Sequence, residues 1–287
     1  MFRIFVAAAL LLFHFDSIAE NIGSENIVNQ FLSQMVTSPT KIIGREEKTK
    51  LMTFFSQKFF EENGVNPFFL DIDNFSFDRY EVINSFGPFV DVKVHDWICP
   101  HYKNCEEYYF FIRLKTVKEN GHYKIYPSNL FDGKYIQWHW TVYYDNYIAS
   151  TELRSSINNQ KPTPKEYINF VDKYFSMLVN NKVNSSPMID KIRFLDEAFF
   201  INKNIDPTKV EIPIYRFDKY EVVDTFGSFV DVSVGYTVFR VKVKKENGKL
   251  SIVPSLYNKD KNEVHYWWSK IDGIYEKPSS LIKYLAH

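Results

Sequence analysis

The chain has 287 residues, of which 45% are hydrophobic and 18% aromatic. This length and apolar content suit two compact domains of about 130 residues, each with its own core. The 35 basic residues balance the 35 acidic ones, which argues against nucleic acid or an anionic membrane surface as the partner.

The N-terminus has the pattern of a secretory signal peptide. Arg3 precedes an apolar run from Ile4 to Phe15, and the small residues Ser17 and Ala19 have the spacing of a signal peptidase site. An uncleaved membrane anchor would need about 18 or more uninterrupted apolar residues, and this run is shorter. We therefore predict a signal peptide over residues 1–19, with no membrane span after its cleavage, and a mature protein that is exported, either periplasmic or secreted.

Two helices are predicted at the start of each half of the mature chain. Thr163, Pro164 and Glu166 predict a helix start, as N-cap, first-turn proline and capping-box acid. Apolar residues recur at helical spacing in four stretches, which begin at Ile27, Lys50, Phe170 and Lys191.

Strands follow the helices in both halves, and their sequences repeat. FDRYEVINSFGPFVDVKV begins at Phe77, and FDKYEVVDTFGSFVDVSV begins 140 positions later at Phe217. Each half then has a strand, an ENG turn that is typical of a tight hairpin, a second strand, and a closing aromatic strand. The closing strands are predicted in YIQWHWTVYY from Tyr135 and in EVHYWW from Glu263.

Helices first and strands last predict an α+β fold in which each domain packs its helices on a curved antiparallel sheet. The repeat places one domain at residues 20–148 and the second at 163–287. The stretch 149–162 is polar and proline-containing, and is predicted to be a linker.

Cys99 and Cys105 are the only cysteines. In an exported protein such a close pair is most simply a disulfide. A redox dithiol is the alternative, although such pairs usually have C-x-x-C spacing at a helix start.

The cysteines fall where the two halves differ in length. From the end of the repeated string to the glycine of ENG, the first half has 27 residues and the second half 14. The additional residues include Trp97, His101 and Tyr102, which we predict to be binding residues because rigidly presented aromatic side chains are favoured anchors. The alternative is a hairpin that packs over its own domain.

Two helices followed by a bent sheet, with a hairpin of the form VFRVKVKKENGKLSIVPS, resemble the nuclear transport factor 2-like superfamily. The resemblance covers nearly the whole mature chain as two copies. It implies in each copy a cone-shaped α+β barrel whose mouth binds small molecules, peptides or partner domains. It does not imply one activity, because a fold alone does not determine function.

The resemblance also suggests candidates for catalytic residues. Asp91 and Asp231 would be general bases in the cones, by analogy with the isomerase members. The structural alternative is a partly exposed cross-strand ion pair with the two bases of the facing strand, which are Arg113 and Lys115 for Asp91 and Arg240 and Lys242 for Asp231. A nearby arginine lowers the pKa of a carboxyl group, which is wrong for such a base. His139 could line a pocket or be an ordinary hydrogen-bonded sheet histidine.

The histidines show no spacing that would bring two onto one metal ion, so we expect neither a metal nor a cofactor. We predict an exported binding protein without catalytic activity, such as a periplasmic accessory or an immunity-type partner of a toxin, with a protein or a small apolar ligand as partner. The alternative is a small-molecule-binding cone protein, or an isomerase-like or dehydratase-like enzyme that uses a cone aspartate.

Overall fold

The computed structural model describes residues 22–36, 45–72, 77–98, 106–145, 163–180, 188–213, 217–278 and 280–281. The chain divides into two compact units, with the boundary between Val142 and Tyr143. Unit 1 precedes this boundary, and unit 2 extends from it to Lys283. The predicted signal peptide and linker lie outside the described residues, and the predicted domain limits stay predictions.

Both units combine a few helices with antiparallel sheet, so the α+β class is confirmed. The helices of unit 1 are α1 (residues 22–35), α2 (Arg45–Met52), α3 (Gln57–Glu62) and a short 3-10 helix (Pro67–Phe69). Its strands are β1 (Asp71–Ile72), β2 (Arg79–Phe86), β3 (Phe89–Ile98), β4 (Glu106–Glu119), β5 (His122–Ile125), β6 (Asn129–Phe131), β7 (Tyr135–Gln137) and β8 (Thr141–Asp145), the last of which reaches the boundary.

Unit 2 repeats this order with shorter central strands. Its helices are α4 (Lys165–Asn180), α5 (Met188–Ile192) and α6 (Glu197–Lys203). Its strands are β9 (Glu221–Phe226), β10 (Phe229–Val234), β11 (Thr237–Glu246), β12 (Lys249–Ile252), β13 (Leu256–Asn258), β14 (Glu263–His265) and β15 (Ser269–Gly273). Helix α4 begins at Lys165, within one residue of the predicted start, but the predicted cap does not form: Thr163 Oγ1 is buried without a hydrogen-bond partner among the described residues, and Glu166 pairs with Lys245.

The central sheet of each unit is an antiparallel meander. In unit 1, β3 pairs with β2 and β4, and β5 pairs with β4. In unit 2, β10 pairs with β9 and β11, while β11 also pairs with β12 and β15. A smaller sheet accompanies each meander: β7 lies between β1 and β6 in unit 1, and β13 pairs with β14 in unit 2.

The ENG turns form as predicted. Asn120 and Gly121 have φ values of 48° and 82°, and Asn247 and Gly248 have φ values of 50° and 79°. Two consecutive positive φ values are the mark of a type I′ turn, which asparagine and glycine tolerate best.

The prediction of one continuous closing strand is wrong. In unit 1 the chain leaves the smaller sheet after Gln137 and enters the central sheet at Thr141. Trp140 fixes the break, because its backbone N–H donates to the carbonyl oxygen of Arg113 and its indole Nε1–H donates to that of Tyr126. The sequence pattern of YIQWHWTVYY cannot reveal such a break, because the residues on both sides of it are types that favour strands.

The helices pack on one face of the central sheet. In unit 2, Val230, Val232 and Val234 of β10 belong to the same core cluster as Tyr174 and Phe175 of α4. Because side chains alternate along a strand, the residues between these valines lie on the opposite face.

Candidate functional site

The β3–β4 hairpin of unit 1 extends beyond its counterpart in unit 2. The pair Val94 and Phe110 in unit 1 corresponds to Val234 and Thr237 in unit 2, where the strands end. In unit 1 four further pairs continue the ladder, up to Ile98 and Glu106. The additional residues of the first half therefore lengthen this hairpin, as their position predicted.

The extended part of the hairpin begins with an aromatic and cationic surface. Tyr109 is 47% exposed. Lys93 Nζ lies 4.3 Å from the centre of its ring, and the rings of His95 and Phe111 lie at 6.2 and 5.9 Å. Arg79 Nη2 is 3.4 Å from His95 Nδ1. These contacts hold Tyr109 in place while leaving about half of its surface accessible.

The predicted binding residues lie mostly beyond what can be described. His101, Tyr102, Cys99 and Cys105 fall outside the described residues, so the disulfide stays a prediction. Residue 97 belongs to β3 and its backbone pairs with Glu107, but its side chain is likewise outside the description.

Sequence reasoning missed Tyr109 and Phe111 as parts of this surface. The length difference between the halves could have indicated them, because Tyr109 lies on the added rungs of the ladder.

A buried ion pair occupies the middle of each central sheet. Asp91 faces Arg113 across β3 and β4, and Asp231 faces Arg240 across β10 and β11. In unit 1, Arg113 Nε and Nη2 donate to Asp91 Oδ1 and Oδ2 at 2.7 and 2.9 Å. In unit 2, Arg240 makes the same two bonds to Asp231 at 2.9 and 2.8 Å.

Aromatic rings frame both pairs in the same way. The guanidinium of Arg113 lies 4.8 Å from the ring of Phe86, and that of Arg240 lies 4.7 Å from the ring of Phe226. Two residues after the arginine in each unit, a lysine lies over a tryptophan. Lys115 Nζ is 4.1 Å from the ring centre of Trp140, and Lys242 Nζ is 4.1 Å from that of Trp268.

Both ion pairs are buried, whereas the structural alternative predicted that they would be partly exposed. Both aspartates are fully buried, and the arginines are only 1% and 3% exposed. They also do not face the helices, because Asp231 alternates with the valines of the helix-packed face. Strand alternation predicted a charge pair between these strands, but it did not tell which of the two bases faces each aspartate or what covers that face.

In unit 2 a tyrosine completes the ion pair. The hydroxyl of Tyr275 donates to Asp231 Oδ2 at 2.5 Å. Burial, reinforced by the Asp231 charge, raises the pKa of Tyr275 above its usual value. Burial alone would lower the pKa of Arg240, but the charge and hydrogen bonds of Asp231 raise it. The Asp231 carboxylate therefore accepts three hydrogen bonds, and no sequence signal marked Tyr275 as a contributor.

His139 lies in the link between β7 and β8, not within a strand as expected. It is 5% exposed, and its Nε2 is 3.2 Å from Nε2 of Gln137. Its ring is 5.3 Å from that of Trp138. Burial lowers the pKa of His139 to about 4, so the ring is neutral at physiological pH.

An open groove is present beside α6 of unit 2. Its volume is about 760 Å³, which is within the range of small-molecule sites. About half of its lining is apolar, including Leu195 and Phe200, and the two bases Arg193 and Lys249 are matched by the two acids Glu197 and Asp206. It is a surface feature beside the helix, separate from the predicted cone interior.

Within the described ranges, no group of three or more histidine, cysteine, aspartate or glutamate side chains could hold a metal ion. None of the helices in those ranges is both long enough and apolar enough to cross a membrane.

No protein-family model matches the chain, and no curated protein matches it. Among solved structures, it is similar to one described as an "Ntf2 like protein involved in plasmid conjugation", at 11% sequence identity and a TM-score of 0.18. The likeness covers 77% of this chain and 90% of that one. A TM-score this low carries no argument about function.

Proposed function

We propose that this chain is an exported binding protein of two tandem nuclear transport factor 2-like domains, and that it engages a protein partner through the extended β3–β4 hairpin of unit 1. A periplasmic accessory or an immunity-type partner of a toxin is the kind of role that fits. Two features support the two-domain reading: the shared order of helices and strands, and the recurrence of the same ion pair in the same register.

The observation that carries the proposal is the extension of the hairpin by four residue pairs, with Tyr109 half exposed on the added rungs. Unit 2 closes its central sheet without these rungs, turning at Gly235 and Tyr236. The fold therefore does not need them. Tyrosine on a rigid strand loses little entropy on binding, which makes it a good contact residue.

General-base catalysis by the aspartates receives no support from their surroundings. Both oxygens of Asp91 and of Asp231 accept hydrogen bonds from an arginine, and both residues are fully buried. A base must reach the proton that it removes, directly or through one water. A structural role of the ion pairs accounts for this geometry better.

Site-specific photo-crosslinking in the native host tests the hairpin as the contact surface. A photoreactive phenylalanine replaces Tyr109 in one variant and Tyr236 in a control, because Tyr236 is an exposed tyrosine at the corresponding turn of unit 2. We expect one discrete protein adduct at position 109 and none at position 236. Equal labelling at both positions, or no adduct at 109, would reject the hairpin as the interface.

The crosslinked protein then serves as the probe for affinity measurements. Trp97→Ala should weaken its binding by about 2 kcal/mol or more if residue 97 is an anchor. Tyr236→Ala is the matched control and should leave the affinity unchanged. Circular dichroism should show the same fold in both variants, and an unchanged affinity of Trp97→Ala would remove this residue from the interface.

Export and the disulfide have their own test. Protein secreted by an export-competent host should begin at Glu20, and its intact mass should correspond to one bond between Cys99 and Cys105. Reduction should leave the bulk of the fold intact, because the closed loop is short. An N-terminus that retains residues 1–19, or free thiols in the secreted protein, would contradict this part of the proposal.

The groove of unit 2 favours small-molecule binding as a second candidate function. Its apolar residues, with Arg193 and Lys249 balanced by Glu197 and Asp206, suit a small apolar molecule without a net charge. Native mass spectrometry of the full chain with a series of medium-chain alcohols would test this. Binding that Phe200→Ala weakens and Phe60→Ala does not would support the groove, whereas equal losses would point to general destabilisation.

A further inference from the structure

Four exposed aromatic side chains occupy one part of unit 1 outside the β3–β4 hairpin. They are Phe68, Phe69, Phe131 and Tyr135, with exposed fractions of 74%, 80%, 49% and 48%. We call this set the aromatic patch. Exposed aromatic residues are ordinary when they are isolated, but a group of them marks an interaction surface.

The small sheet of unit 1 brings the patch together. The 3-10 helix that carries Phe68 and Phe69 leads into β1, where Asp71 pairs with Tyr135. Tyr135 in turn pairs with Phe131 across β6 and β7. The neighbouring residues of these strands, such as Ile136, are buried, so the paired aromatic residues lie on the outer face.

Unit 2 makes the same local structure without aromatic residues. Its counterparts of Phe68 and Phe69 are Thr208 and Lys209, and its counterparts of Phe131 and Tyr135 are Asn258 and Glu263. The residue before the proline caps the turn in both units, Asn66 in unit 1 and Asp206 in unit 2.

Polar interactions replace the aromatic surface in unit 2. The Thr208 hydroxyl donates to Asp206 Oδ1 at 2.6 Å, and Lys209 Nζ lies 3.3 Å from Asp206 Oδ2. The turn and the strand pairs therefore form equally well with polar side chains. Folding therefore does not require the four aromatic residues of unit 1, and their exposure indicates a role in binding.

The charge near the patch argues for an uncharged partner surface. Asp71, next to Tyr135 in the sheet, forms an ion pair with Lys48, and the exposed residues Asp132 and Lys134 of the β6–β7 turn carry opposite charges. With no net charge beside the patch, neither sign of charge on a partner is favoured, and desolvating such a charge would cost free energy. The complementary surface is therefore apolar and aromatic, which describes the patch itself.

The exposed area suits a contact between two copies. The exposed fractions together amount to about two and a half aromatic side chains, or roughly 500 Å² at about 200 Å² per side chain. Two such patches would bury about 1,000 Å² in total, which is the threshold for a specific interface, and neighbouring polar atoms would add a rim.

We propose that the aromatic patch pairs two copies of this chain in a two-fold symmetric dimer. In such a contact the same surface of both copies meets, so the partner is complementary by construction. Because a two-fold contact occupies the same surface on both copies, it closes at two copies and does not propagate. This inference is independent of the proposed function, because it uses neither β3 nor β4.

Sedimentation equilibrium of the mature chain tests the dimer. The variant Phe68→Thr/Phe69→Lys gives unit 1 the residues that unit 2 has at these positions, and Phe131→Asn/Tyr135→Glu does the same for the other half of the patch. We expect a concentration-dependent dimer in the wild type and at least a 100-fold weaker association in each variant. The control Ile201→Glu removes an exposed apolar residue of unit 2, using the residue that unit 1 has there as Glu61, and should dimerise like the wild type.

Three outcomes would overturn the proposal. A wild-type protein that stays monomeric at about 100 μM leaves no dimer to explain. Variants that fold normally by circular dichroism and still dimerise would place the contact elsewhere. Flotation of a monomeric wild type with phosphatidylcholine vesicles, lost in Phe68→Thr/Phe69→Lys, would assign the patch to a lipid surface instead.

Discussion

Unit 1 and unit 2 keep the same ion pair with the same aromatic contacts, and they differ on the opposite, helix-packed side of the sheet. The distances from arginine nitrogen to aspartate oxygen agree within 0.2 Å, and the lysine over tryptophan contacts are both 4.1 Å. On the helix-packed side, however, Phe31 and Trp138 of unit 1 become Tyr174 and Tyr266 of unit 2, at ring distances of 5.3 and 5.2 Å.

The comparison separates what the fold requires from what each unit does. Features present in both units, such as the ion pair and the ENG turns, serve the common backbone. Features present in one unit, such as the extended hairpin and the aromatic patch, are free to serve binding. The following four predictions test this division, beginning with the largest expected effect.

Loss of an arginine from a buried ion pair should be the most damaging change. Arg113→Leu and Arg240→Leu should each destabilise their own unit by about 3–5 kcal/mol, because each leaves a buried carboxylate without its main partner. Urea denaturation of the full chain, combined with hydrogen exchange to locate the unit that opens, measures both losses.

The matched control replaces the whole ion pair. Asp91→Leu/Arg113→Leu should cost much less than Arg113→Leu alone, since a buried ion pair pays a large desolvation penalty that apolar residues avoid. If the double variant is as unstable as the single one, the ion pair contributes a specific geometry that apolar packing cannot replace.

Acid should weaken unit 1 through His139. Its pKa falls from 6.5 in the unfolded chain to about 4 in the folded one, so between these values only the unfolded chain binds the proton. Stability is therefore lost as the pH falls from about 6.5 to about 4, by up to roughly 3 kcal/mol. Thermal unfolding across this range measures the loss.

Unit 2 has Trp267 where unit 1 has His139, so this titration belongs to unit 1 alone. His139→Gln keeps a polar side chain without a titrating group, and should flatten the acid-induced loss of stability. An unchanged pH profile in this variant would assign the acid sensitivity to other groups.

Tyr275→Phe should weaken unit 2 by about 1.5–3 kcal/mol, because the change removes a hydrogen bond to the charged Asp231 and keeps the ring. Equilibrium denaturation measures the loss. Tyr257→Phe is a suitable control, since its hydroxyl bonds the neutral side chain of Asn262 at 2.7 Å and the expected cost is about 1 kcal/mol. Equal costs would mean that Tyr275 adds nothing specific to the ion pair.

Tyr174→Phe should leave unit 2 unchanged or stabilise it by about 1 kcal/mol, which is the smallest effect. The Tyr174 hydroxyl is fully buried and has no hydrogen-bond partner among the described residues. Burial also raises the pKa of this tyrosine. Phenylalanine is what unit 1 has at this place, as Phe31, and thermal unfolding measures the change.

The control for this prediction is Tyr220→Phe. The Tyr220 hydroxyl is 2.7 Å from Asp172 Oδ1 and 2.6 Å from Ser176 Oγ, so the same substitution should lower stability by about 1 kcal/mol. If Tyr174→Phe also lowers stability, a buried water bonds the Tyr174 hydroxyl.

Much of the local structure followed from sequence pattern. Alternation in FVDVKV and its repeat predicted a charge pair across each sheet, and the register selects Arg113 for Asp91 and Arg240 for Asp231 over the lysines two residues further on. The length difference between the halves located the extended hairpin. The break between β7 and β8 could not be predicted, because it depends on hydrogen bonds from Trp140 to residues far away in the chain.

By itself the sequence determined the repeat, the order of helices and strands, the ENG turns and the presence of opposite charges on facing strands, because each depends on backbone preferences or on residues related by a simple period. Only the tertiary structure decided which side chains are covered. It buried Asp91 and Asp231 on the face away from the helices, brought Tyr275 to the second of them, and left Phe68 and Phe69 exposed. Burial depends on what packs above a face, and residues distant in sequence supply that layer.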